Sequence, residues 1–162
     1  MVAVLYVEAG PGVIARLPLA ADIAIEPAPL DLTVAFSNAE SGIDRGVDFG
    51  HYASLPDAAG FVVRQAGMLV AGGWARRNRS RAGRWLDHAT ISRGADPVQA
   101  ALGALRAAAP AGEPLVACVP GPHPVLPVLF EAGFRIADRD TFCTSDPGWL
   151  DPERILPNPG FL

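Results

Sequence analysis

The chain has 162 residues, a formal net charge of −4 and half of its residues hydrophobic; that suffices for one domain with a buried core and is too apolar for intrinsic disorder. The acidic balance excludes a whole-domain nucleic-acid surface, which needs positive charge, and no apolar run approaches the roughly 18 residues of a membrane span. All 13 basic residues are arginine and the first is Arg16, so the amino end lacks a charged leader and a soluble cytoplasmic protein is the expectation.

Residues 2–8 (VAVLYVE) are apolar and β-branched, which predicts a strand, closed by a turn at Gly10-Pro11-Gly12. Ala21–Glu26 and Leu32–Phe36 each predict a further strand, with Pro27 and Pro29 between them. Ser37 to Asp57 carries turn residues without a sustained period and reads as loop or short helix. From Phe61 the pattern is clearer. FVVR, Gln65-Ala66-Gly67 and MLVAGGWAR form a β-hairpin whose turn glycine takes φ > 0. An arginine-rich stretch, residues 76–84, then leads to a strand over 85–92.

Asp96 is placed to cap a helix and Pro97 suits its first position. Val98, Ala101, Leu102, Leu105 and Ala109 form one apolar stripe along it, ended by Pro110 and Gly112. Leu115–Val119 is a short, wholly apolar strand of the kind buried on both faces. A second helix starts near Pro124, with Gly133 at its expected C′ position. A last strand runs from about Phe134 to Thr144, and a proline-rich tail follows. Cys118 and Cys143 lie in apolar segments and are expected as buried free thiols. The three histidines share no metal-ligand spacing, so no metal site is expected.

The order β-β-β-α-β-α-β over residues 61–144, with Gly133-Phe134 after the last helix, resembles the fold of the GNAT-type N-acetyltransferases. The segments that carry the likeness are GFVVRQAGMLVAGGWA, WLDHATISRGA, DPVQAALGALRAAA, PLVACVPG and PVLPVLFEAGFRIADRDTF. The tail is similar to the carboxyl ends of GNAT-like domains, particularly second domains of tandem members. The resemblance implies an α/β domain spanning 1–162, with a mixed central sheet and flanking helices. Residues 1–60 would supply the amino-terminal strand and the acceptor side, and 61–162 the acyl-CoA-binding core and tail.

It also implies acetyl-CoA or another acyl-CoA as cofactor and a small-molecule or peptide amine as acceptor, and it leaves a homodimer open. The pantetheine arm would pair with the strand ending at Ile91 and Ser92. The pyrophosphate would lie on the amides of Arg93, Gly94, Ala95 and Gln99, at a helix N-terminus. Asp87 or His88 would deprotonate the amine, a task suited to a histidine near pH 6.5.

Two departures argue for a weakened site. Pro97 has no N–H for a phosphate, and Asp96 as a cap would occupy the amides that a phosphate needs. The tyrosine that protonates the leaving thiolate in many family members is replaced by Leu129. A catalytically degenerate domain retained for binding or dimerisation is therefore the alternative. On the acceptor side, His51 and Tyr52 offer aromatic surface to a substrate or serve packing alone. His123 either contacts a ligand or is a solvent-exposed loop histidine. Arg76, Arg77, Arg79, Arg81 and Arg84 would bind an acidic group or form a solvated hairpin loop, the second being favoured because no aromatic residue interleaves them.

Overall fold

The computed structural model describes residues 1–55, 57–77, 82–110, 112–143 and 151–158. Strand β1 is Val2–Ala9, and the chain goes directly into a short helix, α1 (Pro11–Ala15), where the sequence suggested only a turn. Gly10 is extended at the N-cap and Pro11 supplies the pre-set φ of a first helical residue. Strand β2 (Ile23–Ala28) follows.

The expected strand at Leu32–Phe36 is instead the centre of helix α2 (Leu30–Ser41), which ends on Gly42 at φ +72°. The inward positions Leu30, Thr33, Val34 and Ser37 do follow helical spacing, but the two fully buried ones are Thr33 and Ser37. Polar residues on the buried face hide the period that would have announced a helix. A second short helix, α3 (Gly46–Ala53), lies in the stretch read as loop or short helix.

Strands β3 (Ala59–Gln65) and β4 (Met68–Arg77) form the expected hairpin, with Ala66 at φ +48° and Gly67 at φ +81° in a two-residue turn of type I′ character. Then come β5 (Arg84–Ile91), α4 (Pro97–Ala108), β6 (Leu115–Pro120), α5 (Val125–Ala132), β7 (Arg135–Phe142) and a two-residue strand β8, Ile155–Leu156. The order anticipated for this half is the order observed. Arg79 and Arg81 of the arginine run, Thr144 and the first part of the tail lie outside the described residues.

Among the described residues the strands form one mixed sheet in the order β2-β3-β4-β5-β6-β1-β7, with β8 attached to β5. The β5–β6 pair is parallel; β1 runs antiparallel to both β6 and β7. Period-2 alternation in β4 decides what covers each face. Ala71 and Ala75 point to the main core with Leu102 and Leu105, where each buried leucine contributes roughly 1.5–3 kcal/mol. Gly72 and Trp74 point to α2 and α3, where the Phe36 ring lies only 2.9 Å from where a Cβ on Gly72 would be. Alanines at 100, 101, 104 and 108 let α4 approach the sheet closely.

The α4 cap is as expected. Asp96 Oδ1 accepts from Val98 N at 2.9 Å and, weakly, from Gln99 N at 3.5 Å. Asp96→Ala is expected to remove about 0.5–2 kcal/mol, which lowers the melting temperature by about 2–4 °C per kcal/mol in a chain of this size. A thermal melt of the variant checks it; an unchanged midpoint would show that the cap adds nothing. Cys118 is a buried thiol as expected, but Cys143 is exposed, because β7 is an edge strand with both faces open. No helix among the described residues is long and apolar enough to cross a membrane.

Candidate functional site

The residues singled out on β5 and the loop after it lie where β5 and β6 separate. The two strands are paired only from Arg84–Leu86 to Leu115–Ala117. Beyond Leu86 they diverge, and the wedge is filled by the chain's own tail. Strand β8 runs antiparallel to β5, with Leu156 opposite Ala89 and Ile155 opposite Thr90. Ile91 N donates to Arg154 O at 2.8 Å. Leu156 is fully buried in the main core. The backbone edge that the resemblance assigns to a pantetheine arm therefore carries a peptide strand.

The loop is filled in the same way. Glu40, from the last turn of α2, accepts from Ser92 Oγ at 3.2 Å and from Arg93 N at 3.1 Å. Asp96 holds the amides of Val98 and Gln99. Arg154 Nη1 donates to the carbonyls of Ser92 (2.9 Å) and Ala95 (2.8 Å), tying the tail to the loop. Gln99 reaches away from it, accepting from Ala20 N at 2.8 Å and donating to Pro18 O at 3.3 Å. Gly94, Asp96 and the Arg93 side chain remain open to solvent. Two carboxylates thus sit where helix-terminal amides would meet phosphate oxygens.

Asp87 and His88 are neighbours on β5, where the ladder to β4 skips Asp87 at a bulge and pairs His88 with Trp74. Asp87 is fully buried. Its carboxylate lies 2.8 Å from Arg76 Nε and accepts from Asn158 Nδ2 at 3.0 Å. Burial raises its pKa, and Arg76 partly offsets that. His88 lies within the layer between sheet and α2. Its ring stacks on Trp74 (4.6 Å between centroids, 25° between planes), and Nε2 is 2.9 Å from Thr90 Oγ1 and 3.3 Å from Ser37 Oγ. Burial, with the charge of Arg45, pushes its pKa well below the ordinary value. The ring is neutral at physiological pH and closed off from bulk water, so a proton taken from an amine has no direct route out.

The three acceptor-side candidates do not converge. His51 is exposed on α3, whereas Tyr52 is buried against Trp74, 5.4 Å away, which is a packing role. His123 is 1% exposed rather than solvated. Its Nδ1 accepts from Val125 N at 3.1 Å and so closes the first turn of α5, and burial depresses its pKa to about 4. Leu129, at the position of the family's tyrosine, is fully buried. Of the arginine run, Arg76 is committed to Asp87 and Arg84 Nε to Ala108 O at 3.2 Å. Among the described residues no group of three or more metal-ligating side chains comes together.

Sequence reasoning missed Glu40, Arg45 and Arg154. Together with the end of β5 they line a pocket of about 200 Å³. The available signal was the Ile155-Leu156 pair between charged and proline residues, but two residues are too short for any periodicity.

The sheet order, the splayed parallel pair and the helices on both faces define a GNAT-like α/β fold. No family model and no curated protein matches the chain. Among solved structures it is similar to a GCN5-related N-acetyltransferase from Anabaena variabilis, at 12% identity and a TM-score of 0.58, over 85% of this chain and 38% of that one. It is also similar to a functionally unknown conserved protein from Staphylococcus epidermidis, at 12% identity and TM-score 0.55, over 85% and 59%. The chain thus spans about two fifths and three fifths of these neighbours, and likeness at this identity shows the fold alone.

Proposed function

We propose that this domain is a catalytically degenerate GNAT-like module that serves in binding rather than in acyl transfer. The observation that carries the reading is the tail strand on β5: the pantetheine edge and the phosphate-binding amides are both satisfied by groups of the same chain. Displacing them would expose Leu156 and leave buried hydrogen-bonding groups unpaired, which costs about 1–3 kcal/mol for each group. The state of the two candidate bases supports the same reading, since Asp87 is locked in an ion pair and His88 is buried.

The competing reading is an acyl-CoA-dependent N-acyltransferase acting on an amine, with Asp87 or His88 as base; the N-acetyltransferase among the structural neighbours supports it.

Calorimetric titration with acetyl-CoA separates the two. At millimolar cofactor the full chain is expected to give only heats of dilution. A saturable one-to-one isotherm at micromolar affinity would overturn the module reading and restore the acyltransferase.

A further inference from the structure

We propose that the pocket between the α2–α3 connection, the end of β5 and the tail binds a small carboxylate with a short branched apolar body. The proposal rests on the module reading, because the tail supplies part of the wall. Three arginines from separate parts of the chain line one cavity of about 200 Å³: Arg45 before α3, Arg93 after β5 and Arg154 in the tail. Two carboxylates also line it, leaving the three arginines one positive charge in excess, and part of their acceptor capacity is used inside the fold. Glu40 takes Ser92 Oγ on one oxygen and Arg93 N on the other, and Asp151 Oδ1 takes Glu153 N at 3.1 Å.

Two of the three arginines, Arg93 and Arg154, keep donors. Both bonds of Arg154 come from Nη1, so its Nε and Nη2 are unpaired among the described residues, as is the whole Arg93 guanidinium. An excess of fork-shaped donors over acceptors selects a planar anion, and a carboxylate fits such a fork with two parallel bonds. The remaining wall carries three isoleucines, Ile43, Ile91 and Ile155, one from each of the same three segments, beside the hydroxyls of Ser41 and Thr90. A cavity of about 150 Å³ holds benzene, so this one has room for roughly eight non-hydrogen atoms. A six-carbon branched acid matches both the volume and the division into a charged and an aliphatic end.

The test is calorimetry on the full chain with 4-methylpentanoate, and with 4-methylpentylamine as a probe of like shape and opposite charge. The carboxylate is expected to saturate one site with a Kd of about 1 mM or tighter, as eight atoms allow, and the amine to give no isotherm. Arg93→Gln removes an exposed side chain with no partner among the described residues, so folding should be untouched. It should weaken the carboxylate at least about tenfold, while Arg64→Gln, on the far surface strand, leaves it unchanged. Absence of saturation at tens of millimolar, equal binding of the amine, or unchanged affinity in Arg93→Gln would each overturn the proposal. Acetyl-CoA titrated into the same sample reports separately on the filled cleft. No heat from either ligand removes the carboxylate site and leaves the module reading standing; heat from acetyl-CoA removes that reading.

Discussion

Replacing Arg76 by Met is expected to lower folding stability by about 3 kcal/mol at pH 7. Breaking a buried ion pair costs about 3–5 kcal/mol, and the lower end applies because the Arg76 side chain is 25% exposed whereas Asp87 is fully enclosed. Methionine keeps much of the stem, so lost packing contributes little. What remains is a carboxylate with Asn158 as its partner at 3.0 Å. The pH dependence identifies the cause. Burial already raises the pKa of Asp87, and Arg76 opposes that rise; without the arginine it rises further. A raised carboxylate is relieved by protonation, so the stability difference between parent and variant should shrink as pH falls from 7 to 5. The double variant Arg76→Met, Asp87→Leu should recover most of the loss, since an apolar pair can replace a buried ionic one. Urea denaturation of the three proteins at both pH values measures this. A single variant as stable as the parent, or a double variant no better than the single, would show that the pair is incidental.

The second large effect is acid lability. His123 has its pKa depressed to about 4 and His88 is also held well below its ordinary 6.5, each chiefly by burial. Both are neutral when folded and become protonated when unfolded below pH 6.5, so the unfolded chain binds more protons and stability falls with pH. Their contribution is fully present above pH 6.5 and is lost as the pH drops from there toward 4. For His123 alone the loss is about 3 kcal/mol, at about 1.4 kcal/mol per pKa unit. The raised Asp87 acts in the opposite direction over part of this range and reduces the total. Denaturant unfolding at pH 7, 5.5 and 4.5 is expected to give a steep decline. His123→Asn retains an acceptor for Val125 N and removes the titrating ring, so its profile should be flatter. A flat profile in the parent would mean that the two rings gain protons without unfolding.

The parts that could be read in advance are those whose signal is local. Asp96-Pro97 and the stripe Val98, Ala101, Leu102 and Leu105 describe α4 in full, and Ala66-Gly67 fixes the hairpin. Helix α2 was not legible, because Thr33 and Ser37 face inward to partners distant in sequence: Ser37 Oγ lies 2.7 Å from Thr90 Oγ1. The same holds for His123, whose loop looks solvated until the rest of the fold covers it, and for Cys143, which is exposed because β7 lies at the edge. The loop argument was sound as far as Asp96 and Pro97 reached. That Glu40 would take the amide of Arg93, and Arg154 the carbonyls beside it, depends on contacts across 53 and 62 or fewer positions of sequence, which no local pattern encodes.

The placement of β1 sets a timetable for synthesis. It lies inside the sheet between β6 and β7, pairing Ala9 with Leu115 and Val2 with Phe142. A ribosome therefore releases the first strand long before either neighbour exists. At about 5–20 residues per second, the intervening hundred or so residues take roughly 5–20 s, during which an apolar, β-branched segment has no native partner. The hairpin β3–β4 and helix α4 are available earlier and can form the other half of the sheet first. Loop closure across most of the chain makes the β6-β1-β7 half the slow step. Nascent chains arrested before β6 should accordingly expose the Val2–Ala9 strand to chaperones that recognise extended apolar peptide.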